Sequence, residues 1–112
     1  MELRSRLRQV KTYDGAMVTV TDEVIDHIER KHPEMLSLVG FAKGHLLSSI
    51  VETLERPNEV YADDRRSRYF LKKLGDLYLN VIVVEERVKT TYLISGKTYH
   101  RMGKMRWLRR LY

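Results

Sequence analysis

Leu77-Tyr78-Leu79-Asn80-Val81-Ile82-Val83-Val84 is the stretch that decides the fold. Its β-branched and large apolar residues, bounded by Gly75-Asp76 and Glu85-Glu86, predict a strand. Alternation along an extended chain sets Leu77, Leu79, Val81 and Val83 on one face and Tyr78, Asn80, Ile82 and Val84 on the other. Both faces carry apolar residues, so this strand is expected to be central and covered on each side. Working outward, Val60-Tyr61, Arg68–Leu71 and Val88–Ile94 read as further strands, with Asp63-Asp64-Arg65-Arg66 as another turn. Connections this short join antiparallel neighbours and predict a meander of about four strands.

Upstream the period changes. Thr21 offers an N-cap hydroxyl, Asp22 and Glu23 suit the positive end of a helix dipole, and Val24, Ile25 and Ile28 form a helical stripe. Pro33 restricts the residue before it and ends this helix near His32. Glu34–Phe41 is apolar but ambiguous. Leu46, Leu47, Ile50, Val51 and Leu54 then recur at helical spacing until Pro57. Before both helices, Val10–Tyr13 and Ala16–Val20 flank Asp14-Gly15, a pair suited to a tight hairpin turn. The expected fold is α+β: N-terminal helices packed on an antiparallel meander, with an opening β-hairpin.

A length of 112 residues predicts one domain, 1–112, with a basic C-terminal tail over 96–112 that no periodicity assigns. The chain has no cysteine, which excludes disulfides, thiolate metal sites and Cys nucleophiles, and fits a reducing, cytoplasmic setting. No apolar run approaches the roughly 20 residues of a membrane span, and Met1–Arg8 leads into no signal-peptide core. Neither a membrane partner nor a cofactor is expected. The four His are scattered, with no carboxylate or His-x-x-x-His spacing for a metal.

Charge is uneven along the chain. Arg87–Tyr112 holds eight Lys or Arg and no acid, and residues 1–11 hold four basic residues against one acid. The middle, 12–86, holds nine basic against fourteen acidic residues. A fold that set both basic ends on one side would present a concentrated positive surface to a polyanion, with nucleic acid first among partners. Basic side chains that merely solvate a surface are the plainer alternative.

Glu29-Arg30-Lys31-His32-Pro33-Glu34 closes the first helix, and Leu54-Glu55-Arg56-Pro57-Asn58-Glu59-Val60-Tyr61 closes the second. Then follow Arg68-Tyr69-Phe70-Leu71-Lys72, Leu79–Val84 and Val88-Lys89-Thr90-Thr91-Tyr92. In this order and spacing the chain, over about residues 21–95, resembles the barnase, EndoU, colicin and RelE-like RNase superfamily, in its phage-associated and uncharacterised prokaryotic branches. The resemblance implies a toxin-type or phage-type endoribonuclease that cleaves RNA without metal, using the neighbouring 2′-hydroxyl as nucleophile. It implies catalytic roles for His32 in proton transfer, for Arg68 and Lys72 on the phosphate, and for Thr91 as an orienting donor. Substrate contacts would come from His27, Tyr69 and Tyr92, and from Lys97, Arg101 and Lys104 in the tail. A cognate inhibitor protein is a further partner of such toxins.

Each residue also has a plainer reading. His32 suits a helix C-terminus, and His27, between Glu23 and Lys31, suits a solvated helix face. Arg68 and Lys72 flank Phe70 on one strand face, fit either for phosphate and base stacking or for guarding a sheet edge. Tyr69, Tyr78, Tyr92 and Tyr99 read as packing residues with wet hydroxyls, and Trp107 as an anchor of the tail onto the body or onto a partner chain. Two alternatives to the nuclease stand: a non-catalytic nucleic-acid-binding or regulatory protein of the same fold, and a homo-oligomeric interaction module, a homodimer for example, in which another subunit covers one apolar sheet face.

Overall fold

In the computed structural model, which describes residues 7–33 and 43–112, the chain opens with strands. Strands β1 (Leu7–Lys11) and β2 (Met17–Thr21) pair antiparallel about a turn in which Gly15 takes a φ of 88°. Within that turn Thr12 N–H donates to the Ala16 carbonyl at 2.8 Å, and the Asp14 carboxylate accepts from the Thr12 hydroxyl and the Ala16 N–H. Helix α1 (Asp22–Lys31) follows directly. Thr21 caps it, its hydroxyl accepting from Val24 N–H at 3.1 Å, and Val24 and Ile28 form its buried stripe. Helix α2 (Lys43–Glu55) buries Leu46, Ile50 and Leu54 at four-residue intervals and stops before Pro57. The ambiguous Glu34–Phe41 run lies outside the described residues.

The meander then runs through β3 (Glu59–Ala62), β4 (Ser67–Leu74), β5 (Leu77–Val84) and β6 (Arg87–Ser95), all antiparallel. Residues 96–112, left unassigned by pattern, supply helix α3 (Gly96–Met102) and a two-residue strand β7 (Arg109–Arg110). The strand order is β1-β2-β6-β5-β4-β3-β7, and only the β2–β6 junction is parallel, at Thr19 and Arg87. This corrects the expected layout of N-terminal helices on about four strands: strands come first, and the sheet has seven. The physical reason is that a meander has two open edges. The opening hairpin takes one, where Thr19 N–H donates to the Glu86 carbonyl at 2.8 Å, and β7 takes the other beside Tyr61 and Ala62.

The sheet is covered on both faces, as the β5 pattern requires. One core joins Val24 and Ile28 of α1 and Leu46, Ile50 and Leu54 of α2 to Phe70, Leu79, Val81 and Val83 of the sheet. The second joins Tyr61, Leu71 and Ile94 to Met102 of α3 and Leu108. The chain's own C-terminal segment thus covers the face for which a second copy had been invoked. Leu108 packs there, whereas Trp107, expected to anchor the tail, is 54% exposed. Strands β1 and β7 lie at opposite ends of the strand order. The tip of the first hairpin nevertheless meets the other end, with the Tyr13 and Tyr112 rings 4.6 Å apart.

β5 and β6 are joined by Glu85 and Glu86 alone, at φ of 51° and 65°. Left-handed backbone at two glutamates is unfavourable, and Asn or Gly is the usual choice for such a turn. Replacing Glu85 by Asn is therefore expected to stabilise the domain by up to about 1 kcal/mol in denaturant unfolding.

Candidate functional site

Strand register lays two rows of side chains across the face away from α1 and α2. One row reads Tyr61, Tyr69, Ile82 and Thr90 over β3, β4, β5 and β6, and the next reads Glu59, Leu71, Asn80 and Tyr92. At the β6 end of these rows stands His32. Its N–H donates to the Ile28 carbonyl at 2.8 Å, so the last turn of α1 fixes its backbone, and Pro33 prevents continuation. The His32 ring lies 5.3 Å from the Tyr92 ring at 32°. Beside them, the buried Asn80 Oδ1 and Thr90 Oγ1 have no hydrogen-bond partner among the described residues. Unsatisfied polar atoms in a folded interior are uncommon, because a buried oxygen without a partner forgoes its hydrogen bond to water.

The other end of the rows is fully engaged. Glu59, whose side chain is 13% exposed, accepts from Tyr61 at 2.7 Å and from Tyr99, and lies 3.9 Å from the Arg110 guanidinium. Tyr99 also stacks on Tyr78, with centroids 3.9 Å apart. One carboxylate therefore ties α3 and β7 to β3. Asp63 does the same for the β3–β4 turn, accepting from Arg65 N–H, Ser67 N–H and the Tyr69 hydroxyl at 2.9 to 3.0 Å. Burial opposes ionisation of Asp63, but these donors outweigh it and hold its carboxyl below the ordinary value.

Among the residues expected to act, the structure brings His32 and Tyr92 into contact and sets Tyr69 on the same face. Arg68 and Lys72 flank Phe70 on the opposite, helix-covered face. Phe70 is fully buried, which closes it to base stacking. Arg68 lies 3.6 Å from Glu86 and 4.0 Å from Asp14, with its guanidinium over Phe70. Lys72 donates to the Arg56 carbonyl at 2.8 Å and lies 3.8 Å from Glu52. Thr91 is fully buried, its hydroxyl donating to the Asn80 carbonyl at 2.7 Å. His27 lines a separate open cleft with Glu23, Val84 and Lys89, while Lys97, Arg101 and Lys104 are exposed on and just after α3. Sequence reasoning missed Glu59, Asn80 and Thr90. The alternation Glu59-Val60-Tyr61 could have exposed the Glu59–Tyr61 pair, but nothing local points to Tyr99 or Arg110.

Over residues 3–112 the chain matches the family described as phage-Barnase-EndoU-ColicinE5/D-RelE like nuclease2. The chain belongs to this family. Comparison with curated proteins and with solved structures gives no match. Membership in this phage nuclease-like family agrees with the resemblance read from the segment 21–95 and extends it through α3 and β7. It makes the domain nuclease-like and nucleic acid its expected substrate class. Among the described residues no helix is long and apolar enough to cross a membrane, and no group of three or more His, Asp or Glu is placed to hold a metal ion.

The tyrosine hydroxyls of this nuclease-family domain give a direct test of the site. Burial, then hydrogen bonding to Glu59, pushes Tyr61 up to about 12; burial, then hydrogen bonding to Asp63, does the same for Tyr69. Tyr99 is raised further, first by its hydrogen bond to Glu59 and then by burial. In an unfolded chain all three ionise near pH 10. The folded state's advantage is therefore complete below pH 10 and drains as pH rises toward 12. Denaturant midpoints should fall across that window, and tyrosinate absorbance at pH 11 should show these three protected until the protein unfolds.

Proposed function

We propose that this domain is a ribonuclease that cleaves RNA by transesterification without a metal ion, with His32 as its proton-transfer residue. The observation that supports it is the contact of the His32 imidazole with Tyr92, beside unpartnered Asn80 and Thr90 side-chain oxygens, in a domain of a nuclease-like family. In this reading the substrate 2′-oxygen attacks phosphorus and the bond to the 5′-oxygen breaks, leaving a 2′,3′-cyclic phosphate and a 5′-hydroxyl. His32 takes the proton of the 2′-hydroxyl, and a solvent water gives the leaving 5′-oxygen its proton. Tyr92 fixes the imidazole plane. The Thr90 hydroxyl donates to a phosphate oxygen, and the Asn80 Oδ1, which only accepts, takes a hydrogen bond from a ribose hydroxyl.

The other expected residues take supporting parts. Thr91 locks the Asn80 backbone by its buried hydrogen bond, while Arg68 and Lys72 hold the hairpin, the β5–β6 turn and α2 to the sheet through Asp14, Glu86 and Glu52. Lys97, Arg101 and Lys104 contribute exposed charge for phosphates along the strand, a term that weakens with salt and carries no sequence information.

The deciding experiment incubates labelled single-stranded RNA with the protein in excess EDTA, beside His32→Ala and Tyr92→Phe. Cyclic-phosphate products from wild type, a loss of at least about 100-fold in His32→Ala and near-retention in Tyr92→Phe are expected. RNA that is shifted on a gel but never cut would replace the nuclease with a binding protein.

A further inference from the structure

Trp107 is the chain's single tryptophan, and it is 54% exposed although its neighbour Leu108 is packed in the second core. The turn that carries it is held on both sides, by Met105 N–H to the Met102 carbonyl and Leu108 N–H to the Met105 carbonyl, each at 3.2 Å. It forms one wall of a cleft of about 420 Å³ whose other walls are Asp63, Asp64, Arg65 and Tyr69. Asp63 is consumed within the fold, so the groups left to face an occupant are the Trp107 indole, the Asp64 carboxylate and the Arg65 guanidinium. The three bonds to Asp63 fix the loop that presents Asp64 and Arg65, and a preformed loop spends little ordering entropy on binding.

We infer that this cleft is the base-binding subsite of the domain, taking one unpaired nucleobase stacked on Trp107 and read by Asp64. The inference rests on the ribonuclease reading for its link to cleavage, but not for binding itself. An exposed indole beside a cation is suited to the π-face of an unstacked base. The Asp64 carboxylate only accepts hydrogen bonds, so it favours a base edge carrying an exocyclic amino donor: adenine, guanine or cytosine. Uracil has no exocyclic amino group and sets its one ring N–H between two carbonyl oxygens that repel a carboxylate, so it is disfavoured. Position agrees with this role. Tyr69, in the cleft wall, shares a cross-strand row with Ile82 and Thr90, which places the cleft two strands, about 10 Å, from the His32 end of the face. A nucleotide whose base sits against Trp107 can direct its phosphate along that row.

Because Trp107 is the only indole, its fluorescence reports this cleft alone. The experiment titrates the intact protein with AMP, GMP, CMP and UMP, with ribose 5-phosphate as the baseless control, repeats the series on Asp64→Asn, and follows the Trp107 variants by calorimetry. Saturable quenching by the three amino-bearing nucleotides, at least about five-fold weaker binding of UMP, and loss of that preference in Asp64→Asn are expected. Trp107→Ala should weaken binding about ten-fold or more by an independent method such as calorimetry, with Trp107→Phe recovering part of it. No quenching by any nucleotide, quenching by ribose 5-phosphate alike, or UMP bound as well as the others would overturn the inference. Each outcome is read without cleavage, so the subsite can fail while the nuclease stands, and the reverse.

Discussion

A strand that is apolar on both faces must be covered twice, and the rest of this domain depends on meeting that demand at β5. Its backbone groups are satisfied by β4 on one side and β6 on the other, so burial on both faces leaves no unpaired main chain. Helices α1 and α2 close one face through Ile28, Leu46, Ile50 and Leu54, all fully buried. The other face has no long helix available among the described residues. It is closed by the short α3, by Leu108 and by a layer of tyrosines.

Covering a sheet with tyrosines has a consequence that covering it with leucines does not. Each ring brings a hydroxyl that must find an acceptor, and Glu59 and Asp63 take that part. Those two carboxylates fix the β3 end of the face, the β3–β4 loop and the C-terminal segment in one network. The β6 end is left with His32, Tyr92 and two unpartnered polar oxygens. The face is thus divided into a saturated half that holds the fold and a half whose Asn80 and Thr90 side-chain oxygens have no partner among the described residues.

Charge follows the same division. Arg68 and Lys72, the cations on the long strand, lie on the helix side, where acids from the first hairpin, the β5–β6 turn and α2 engage them. The exposed Lys97, Arg101 and Lys104 belong instead to α3 and the turn after it. They lie on the part of the chain that covers the tyrosine face.

Local chemistry was enough to read α1 from its Thr21 cap to Pro33, α2 from its Leu46, Ile50 and Leu54 stripe, and the four meander strands. These depend on period and on residues that start or stop elements within a few positions. His32 and Tyr92 were singled out by the family resemblance, since local chemistry reads one as a helix-end histidine and the other as a packing tyrosine. Period alone could not say which face of β4 would meet the helices. Arg68, Phe70 and Lys72, which fit either a phosphate- and base-binding row or a guarded sheet edge, lie on the helix-covered face with Phe70 fully buried. Nor could it assign residues 96–112, because α3 and β7 are stabilised by Glu59 and by the open edge of β3, some 40 residues away in sequence at the Tyr99–Glu59 bond. Sequence determined the elements, since propensity and capping act locally. Only the tertiary structure decided sheet size, facing and site, since these follow from which edges and apolar faces remain to be covered once the elements meet.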